Sequence, residues 1–275
     1  MLLLSFKSKI GIGLSPLIKS ASAVYFLPGK RLLDVYRQYS ELPNNIKYVD
    51  RKDVKSLGSS HFSCQIPVGS LPKFFIDSYK SYQPSSTPIL SIPSKTSDIL
   101  RQKYVSQAST ESPLVVGISW QGGGKASRIP LKSITLKELS PILSRKEFKF
   151  VSLQYGDDGP HIERFNKATG IEILHDDSIN PLKDMDGWLS QVAAMDAVVS
   201  IANTTVHGAG GLGIPTMCTV SSQSDWRWID PEVYKGCYWY PSVDACYQNS
   251  NSDWKPALSE AVNWLRTHVP KTIAA

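Results

Sequence analysis

Between residues 113 and 222 the apolar residues come in short unbroken runs, separated by amphipathic stretches. Runs without polar alternation are typical of parallel strands whose two faces are both covered by helices. We therefore expect four strands, at 114–120, 148–153, 197–201 and 216–220. The intervening stretches predict four helices, at 135–143, 161–169, 185–195 and 206–212. This alternation indicates a Rossmann-like α/β layer.

The first 80 residues show the same pattern less clearly, with strands expected at 23–27 and 46–49 and a helix at 31–39. A stretch rich in Ser, Pro and Thr follows, with a short helix near 97–106. Near the end of the sequence, the spacing of apolar residues predicts an amphipathic helix at 254–269. The predicted organisation is a first lobe, a connection and a second lobe, at 1–83, 84–112 and 113–275.

Composition narrows the class of protein. Hydrophobic residues make up 41% and charged residues 20% of the chain, as in a soluble globular protein. The net charge of +6 suits an anionic ligand such as a nucleotide diphosphate, but it is too small and scattered to indicate nucleic acid. The four cysteines lack metal-ligand spacing. We therefore expect no metal site and a reduced, cytoplasmic protein.

The first 33 residues contain basic but no acidic residues, and Ala21-Ser22-Ala23 looks like a cleavage site. Both features resemble a targeting segment. The apolar run at 10–18 is broken by Gly11, Gly13 and Pro16, and it is too short to span a bilayer. We favour the interpretation that this segment belongs to the first lobe, and we expect no stable membrane insertion.

Candidate chemistry follows the predicted strands, because ligands of open α/β sheets bind beyond the carboxyl ends of the strands. After the first strand come Trp120 and the run Gln121-Gly122-Gly123-Gly124, with Lys125 and Arg128 nearby. The glycines let backbone N–H groups approach an anion, although the run is neither a dinucleotide fingerprint nor a P-loop. It is either a phosphate cradle or a plain loop, and the two cations favour an anion.

After the second strand come Gln154 and Tyr155, followed by Asp157 and Asp158. An amide beside two carboxylates suits a ribose, a base edge or a sugar hydroxyl. The same residues suit a solvated turn that caps the next helix. The two interpretations are equally supported by the sequence.

The most specific pattern follows the third strand, where Asn203, Thr204 and Thr205 precede a helix of very small residues. The unsatisfied N–H groups and positive dipole end of such a helix bind anions, and the Thr hydroxyls add donors. His207 would project from the first turn. The alternative is an ordinary N-cap with a core histidine, but the small and polar residues favour a ligand.

Aromatic residues concentrate between 226 and 240, after the fourth strand. Such rings either stack on a base or sugar or form a small core under a long loop, and for most of them packing is favoured.

Five blocks in order resemble one known family, at 66–72, 116–123, 150–157, 203–213 and, as the last block, 226–228 together with 239–242. They resemble the glycosyltransferase-like domain that follows tetratricopeptide repeats in bacterial proteins. That domain is akin to the heptosyltransferases of glycosyltransferase family 9 and, more distantly, to the O-GlcNAc transferases. The resemblance implies an α/β fold of the GT-B type, with two Rossmann-like lobes and a closing C-terminal helix.

The resemblance also implies a metal-independent, inverting hexosyl- or heptosyltransferase that needs no cofactor beyond its nucleoside-diphosphate sugar. Its acceptor would be a glycan, a lipid-linked sugar or a protein, and no residue is identified as the general base. The expected diphosphate contacts are Gln121, Gly122, Gly123, Lys125, Arg128, Asn203, Thr204, Thr205 and His207. The expected nucleotide or sugar contacts are Trp120, Gln154, Tyr155 and Trp226.

Two departures from the family motivate other hypotheses. Gln121 and Lys132 stand where the family commonly has Arg, so two bidentate phosphate partners are replaced. The family's opening strand and glycine-rich turn are not recognisable, which predicts a shortened first lobe. The alternatives are a non-catalytic remnant that binds a nucleotide sugar or a partner, and a GT-B enzyme of another type, such as a sugar epimerase.

Overall fold

The computed structural model divides the chain into two compact units, Met1–Ser91 and Ile92–Ala275. The residues that the structure describes are 23–27, 30–39, 45–50, 53, 56, 58, 63, 88–108, 113–156, 158–223, 227, 228, 237 and 239–268. The family block at 66–72 therefore lies outside the described residues, as does Trp226.

The described part of the first unit contains a β–α–β segment. Strand β1 (Val24–Phe26) pairs in parallel with β2 (Ile46–Tyr48), and helix α1 (Lys30–Tyr39) connects them. The ring of Tyr36 on α1 is buried, with its centroid 5.1 Å from that of Phe26. This segment confirms the strand–helix–strand pattern predicted for residues 23–49.

The second unit is built on a six-stranded parallel sheet with the order β5-β4-β3-β6-β7-β8. Its strands are β3 (Leu114–Ser119), β4 (Phe148–Ser152), β5 (Ile173–Leu174), β6 (Ala197–Ile201), β7 (Thr216–Val220) and β8 (Val243–Tyr247). Its helices are α2 (Ser94–Ser106), α3 (Ser140–Leu143), α4 (Gly159–Thr169), α5 (Met185–Ala193), α6 (Thr204–Leu212) and α7 (Lys255–His268). Two 3₁₀ turns, Ala126–Arg128 and Pro130–Lys132, lie between β3 and α3. The four predicted strands are confirmed.

This strand order is that of a doubly wound Rossmann sheet. From β3 the chain moves outward through β4 to β5, and it then crosses back to β6 on the other side of β3. The switch point of the sheet therefore lies between β3 and β6. Buried apolar residues of β3, β4, β6 and β7 form the core together with α3 and α7, including Val116, Ile118, Leu258 and Leu265.

Helix α2, which falls inside the predicted connection 84–112, belongs to the second unit. Arg101 Nη1 lies 2.8 Å from Asp196 Oδ2, which also accepts the N–H of Val115 at 2.7 Å. Two residues further along α2, Lys103 Nζ lies 2.8 Å from both carboxylate oxygens of Asp176. Two ion pairs therefore attach α2 to the Rossmann unit.

The helix predicted at 135–143 forms only over its last turn, at α3. At the position where the helix was predicted to start, Thr135 and Glu138 form a capping box with hydrogen bonds of 2.7–3.2 Å between them. Pro141 lacks the N–H that would bond to the carbonyl of Lys137. The segment before α3 is therefore a series of turns.

Candidate functional site

The loops after β3, β4 and β6 meet at the switch point, where the open sheet is expected to bind a ligand. Ser119 ends β3, and Gln154 and Asn203 lie two residues beyond the ends of β4 and β6. The three side chains are hydrogen-bonded to one another. We call Gln154, Ser119 and Asn203 the amide brace.

Gln154 lies beneath the glycine-rich loop that follows β3. Its side chain is buried, with only 3% of the residue exposed. Its Oε1 accepts from the N–H groups of Trp120 and Gln121 at 3.0 and 2.9 Å, and from Ser119 Oγ at 3.1 Å. Its Nε2 donates to the carbonyls of Gln121 and Tyr155 at 3.2 and 3.3 Å. The structure therefore places this predicted nucleotide contact under the loop, with its amide bonded to protein groups.

Asn203 connects the same loop to the start of α6. Its Oδ1 accepts the N–H of Thr205 at 2.8 Å, which is an N-cap bond. Its Nδ2 donates to Ser119 Oγ at 2.7 Å and to the carbonyl of Gln121 at 3.4 Å. The carbonyl of Gln121 thus accepts from both amide side chains, and the loop and the helix start are held as one piece.

The glycines of the loop are required by the side chains that cross it. A Cβ on Gly122 would lie 2.7 Å from Cε of Lys132, and a Cβ on Gly123 would overlap the hydroxyl of Tyr155. Gly124 has φ +108°, which strains any residue with a side chain. The hydroxyl of Tyr155 therefore lies against the glycine-rich loop, and its role as a ligand contact stays a prediction.

Lys132 is a site residue that the sequence prediction left out of its contacts. It is the last residue of the second 3₁₀ turn, and its Nζ lies 3.7 Å from the position of a Cβ on Gly124. Its neighbour Ser133 accepts the N–H of Gly122 at 3.0 Å and donates to the carbonyl of Ile129 at 2.6 Å. Its position before Ser133, where the family commonly has Arg, was the signal in the sequence.

The basic segment from Lys125 to Lys132 crosses the edge of the sheet. Ser221, directly after β7, donates to the carbonyl of Leu131 at 2.7 Å. Because β6 lies between β3 and β7, the segment passes over the end of β6, where α6 begins. Lys125 and Arg128 are exposed, and among the described residues neither they nor Lys132 form an ion pair. This segment therefore carries three cations, Lys125, Arg128 and Lys132, along the edge of the sheet at which α6 begins.

The small residues of α6 serve packing. A Cβ on Gly208 would lie 2.7 Å from the indole of Trp188, and one on Gly210 would lie 2.5 Å from the ring of Tyr240. Thr205 is 1% exposed, whereas Thr204 is half-buried. Of the two predicted hydroxyl donors, only that of Thr204 lies on a residue open to solvent.

His207 lies in the first turn of α6 and is half-buried. Its Nδ1 is 3.1 Å from Tyr240 Oη, and the proton between them lies on either partner according to the histidine tautomer. The ring of Trp228 lies 6.5 Å away, centroid to centroid. The imidazole is therefore held by residues of the loop between β7 and β8.

Trp120, a predicted ligand contact, and the described aromatic residues between β7 and β8 are buried. Trp120 is 3% exposed and belongs to the core cluster. Trp228, Trp239 and Tyr240 are buried as well, and Trp239 Nε1 donates to the carbonyl of Arg227 at 2.8 Å. Burial of Trp228, Trp239 and Tyr240 agrees with the packing role that the sequence favoured for most rings of this region.

Two further properties concern the described residues alone. Among them, no three His, Cys, Asp or Glu side chains are arranged to hold a metal ion. None of the described helices has the length and apolar character needed to cross a membrane.

Comparison with known proteins gives one sequence relative and several structural ones. No family model matches the chain. A segment of 126 residues is 31% identical to Protein FlbA of Caulobacter vibrioides, and it covers 46% of this chain but only 20% of FlbA. The chain therefore matches about a fifth of that relative's length.

The structural comparison decides the fold. A glycosyl transferase family 9 protein from Veillonella parvula DSM 2008 aligns with 94% of this chain and 86% of its own, at a TM-score of 0.53. The chain has the α/β GT-B glycosyltransferase fold. The two proteins share 12% sequence identity, so this likeness establishes the fold alone. The E. coli ADP-heptose LPS heptosyltransferase II aligns with 96% of this chain and 82% of its own, at 15% identity and a TM-score of 0.49.

Proposed function

We propose that this chain binds a nucleoside-diphosphate sugar and transfers the sugar to an acceptor hydroxyl. The observation that carries the proposal is the junction between the glycine-rich loop and the start of α6. The two backbone segments that best suit a diphosphate are joined there through the carbonyl of Gln121. They lie at the switch point of a GT-B fold, beside the cations Lys125, Arg128 and Lys132.

In this proposal the diphosphate lies between the glycine-rich loop and the first turn of α6. The helix N-terminus supplies N–H groups and a positive dipole end. The cations and the hydroxyl of Thr204 supply the remaining donors. These groups stabilise the negative charge that develops on the diphosphate as the bond to the sugar breaks.

The same arrangement supports transfer without a metal ion. In this proposal three side-chain cations and a helix dipole take the part of a divalent ion and neutralise the leaving diphosphate. An acceptor hydroxyl that attacks the sugar carbon opposite the diphosphate gives inversion, and it needs a general base. We assign that role to no described residue, because the described site is on the donor side.

A second candidate function is binding of a nucleotide sugar without transfer. It is favoured by Gln121 and Lys132, which stand where the resembling family has Arg. Lysine and glutamine do not form the bidentate phosphate contacts of arginine.

Binding is tested with UDP, GDP and ADP at saturating concentration, in the presence of EDTA. A ligand that binds only the folded state raises the melting temperature, so we expect at least one nucleotide to raise it without metal. Inorganic phosphate at equal ionic strength is the control. If none of the three nucleotides shifts the transition, both candidate functions are wrong.

Transfer is tested by incubating the chain with a panel of nucleotide sugars and measuring nucleotide release. We expect slow release by donor hydrolysis, and faster release when a suitable acceptor is added. Tight binding with no release under any condition would favour the non-catalytic function.

A further inference from the structure

We propose that Gln154 is a positioning residue, which sets the glycine-rich loop against the N-terminus of α6 without touching the nucleotide. This inference rests on the proposed function and deepens it. The sequence predicted that Gln154 contacts the ligand, whereas this inference assigns it to the structure that supports the ligand site.

The first argument is that the side-chain amide is committed to protein groups. Its oxygen accepts three hydrogen bonds, and its nitrogen donates two to backbone carbonyls. A primary amide has two N–H donors and two lone pairs on its oxygen, so this capacity is used. The residue is 3% exposed, and the loop lies over it.

The second argument concerns what the bonds hold. Gln154 holds the backbone of Gln121 on both sides. Its side-chain oxygen accepts the N–H of Gln121, and its side-chain nitrogen donates to the carbonyl of the same residue. Asn203 donates to that carbonyl and caps α6. Through Gln121 and Ser119, a movement of the loop is therefore transmitted to the helix start.

The third argument is energetic. Three consecutive glycines follow Gln121, and glycine loses more conformational freedom on ordering than any other residue. A loop that is ordered before the ligand arrives does not subtract this entropy from the binding free energy. Donors that are already oriented also avoid reorganisation when the leaving group gains charge.

A neutral amide is the group that suits this position. A carboxylate at residue 154 would still accept from Ser119, Trp120 and Gln121. It would lose the two donated bonds, and it would add a negative charge beneath a site for an anion. Glutamine therefore satisfies the loop and leaves the site electropositive.

The test compares Gln154→Ala with Gln191→Ala. Gln191 is a matched control, because it is also 3% exposed and its side chain donates to Tyr104 Oη at 3.2 Å, on helix α2. Residue-resolved hydrogen exchange measures the loop, and titration with the best of UDP, GDP and ADP measures affinity. In Gln154→Ala we expect faster exchange at Trp120 and Gln121 and roughly tenfold weaker binding. Gln191→Ala should change neither by more than about twofold.

Gln154→Glu separates the accepted from the donated hydrogen bonds, and Gln154→Met, which keeps much of the buried volume but neither kind of bond, replaces the alanine variant if that variant does not fold. In Gln154→Glu the amides of Trp120 and Gln121 should keep their protection, while affinity falls roughly tenfold because of the added charge. A fall in affinity with protection kept is assigned to the charge, whereas a joint loss of affinity and protection in the alanine variant is assigned to positioning.

The outcomes are distinct. If Gln154→Ala keeps its exchange protection or binds within twofold of the unsubstituted chain, the inference is overturned. If the unsubstituted chain binds none of the three nucleotides, the proposed function fails and the role in nucleotide binding fails with it. The exchange measurement then still decides whether Gln154 holds the loop.

Discussion

Thr204 and Thr205 are neighbours in the sequence, but their surroundings in the structure differ. Thr204 is half-buried at the first position of α6, whereas Thr205 is 1% exposed and gives its N–H to Asn203. A hydroxyl on a residue open to solvent suits a ligand, and a buried residue contributes to folding. The two predicted diphosphate contacts therefore divide into one candidate donor and one packing residue.

Thr204→Ala should weaken nucleoside-diphosphate binding by about three- to tenfold, as expected for loss of one hydrogen bond to a charged group. The free energy of unfolding of Thr204→Ala should change little. Thr205→Ala should instead lower the free energy of unfolding by about 1–2 kcal/mol, because it removes a buried side chain. Calorimetric titration and urea denaturation of both variants check this. Equal affinities in the two variants would contradict the division.

Gly123 and Tyr155 are coupled through one contact. A Cβ on Gly123 overlaps the Tyr155 hydroxyl, but it would lie 3.3 Å from Cζ of the same ring. Gly123→Ala should therefore weaken nucleotide binding by displacing the loop or the ring. Adding Tyr155→Phe should restore part of the affinity, because the overlapping atom is removed. Affinities that combine additively in the double variant would show that the contact does not control the loop.

At the scale of elements, α6 joins the site to the loop between β7 and β8. Its N-terminus is capped by Asn203, and Gly210 on the helix lets the ring of Tyr240 approach. Tyr240 in turn lies 3.1 Å from His207, on the first turn. The helix therefore transmits the position of that loop to a candidate ligand contact.

Gly210→Ala should displace the ring of Tyr240, since the added Cβ would lie 2.5 Å from its Cγ. Overpacking of this kind lowers the free energy of unfolding by about 1–3 kcal/mol. Urea denaturation measures the loss, and the NMR signals of the His207 ring should shift as the hydroxyl of Tyr240 moves away. An unchanged midpoint of denaturation would argue against this packing.

At the scale of the whole Rossmann unit, α2 is held in place by a buried carboxylate. Asp176 accepts hydrogen bonds from Lys103, Ser178 and Tyr104. Burial raises the pKa of Asp176, but these bonds outweigh burial and leave the pKa below its usual value. Burial and the bond to Asp176 raise the pKa of Tyr104, so its hydroxyl stays protonated and donates.

A carboxyl group whose pKa is lower in the folded state stabilises that state above its unfolded pKa, which is about 3.9. The contribution is lost as the pH falls through the folded pKa. Asp176→Asn should therefore be less stable than the unsubstituted chain at pH 7. It should also lose less stability between pH 5 and pH 2, as measured by urea denaturation across that range. Parallel pH profiles would exclude Asp176 as a source of acid sensitivity.

Much of the second unit followed from the sequence, because β3, β4, β6 and β7 are apolar runs that a parallel sheet buries on both faces. Two strands were not predicted. Strand β5 has only two residues, and β8 carries a charged residue, Asp244, as the second of its five residues. That carboxylate accepts Trp264 Nε1 at 2.6 Å, a partner on α7 that no local pattern reveals.

The sequence by itself determined the α/β class, the edge of the sheet that carries the candidate site, and the capped start of α6. These features depend on local periodicity and on residues that lie close together along the chain. Only the tertiary structure decided that Gln154 braces the glycine-rich loop, that Lys132 crosses it, and that Trp120 and Thr205 are buried. The physical reason is that a side-chain amide, a lysine or an indole suits both a ligand and the protein interior. Which of these it meets depends on partners far away in the sequence.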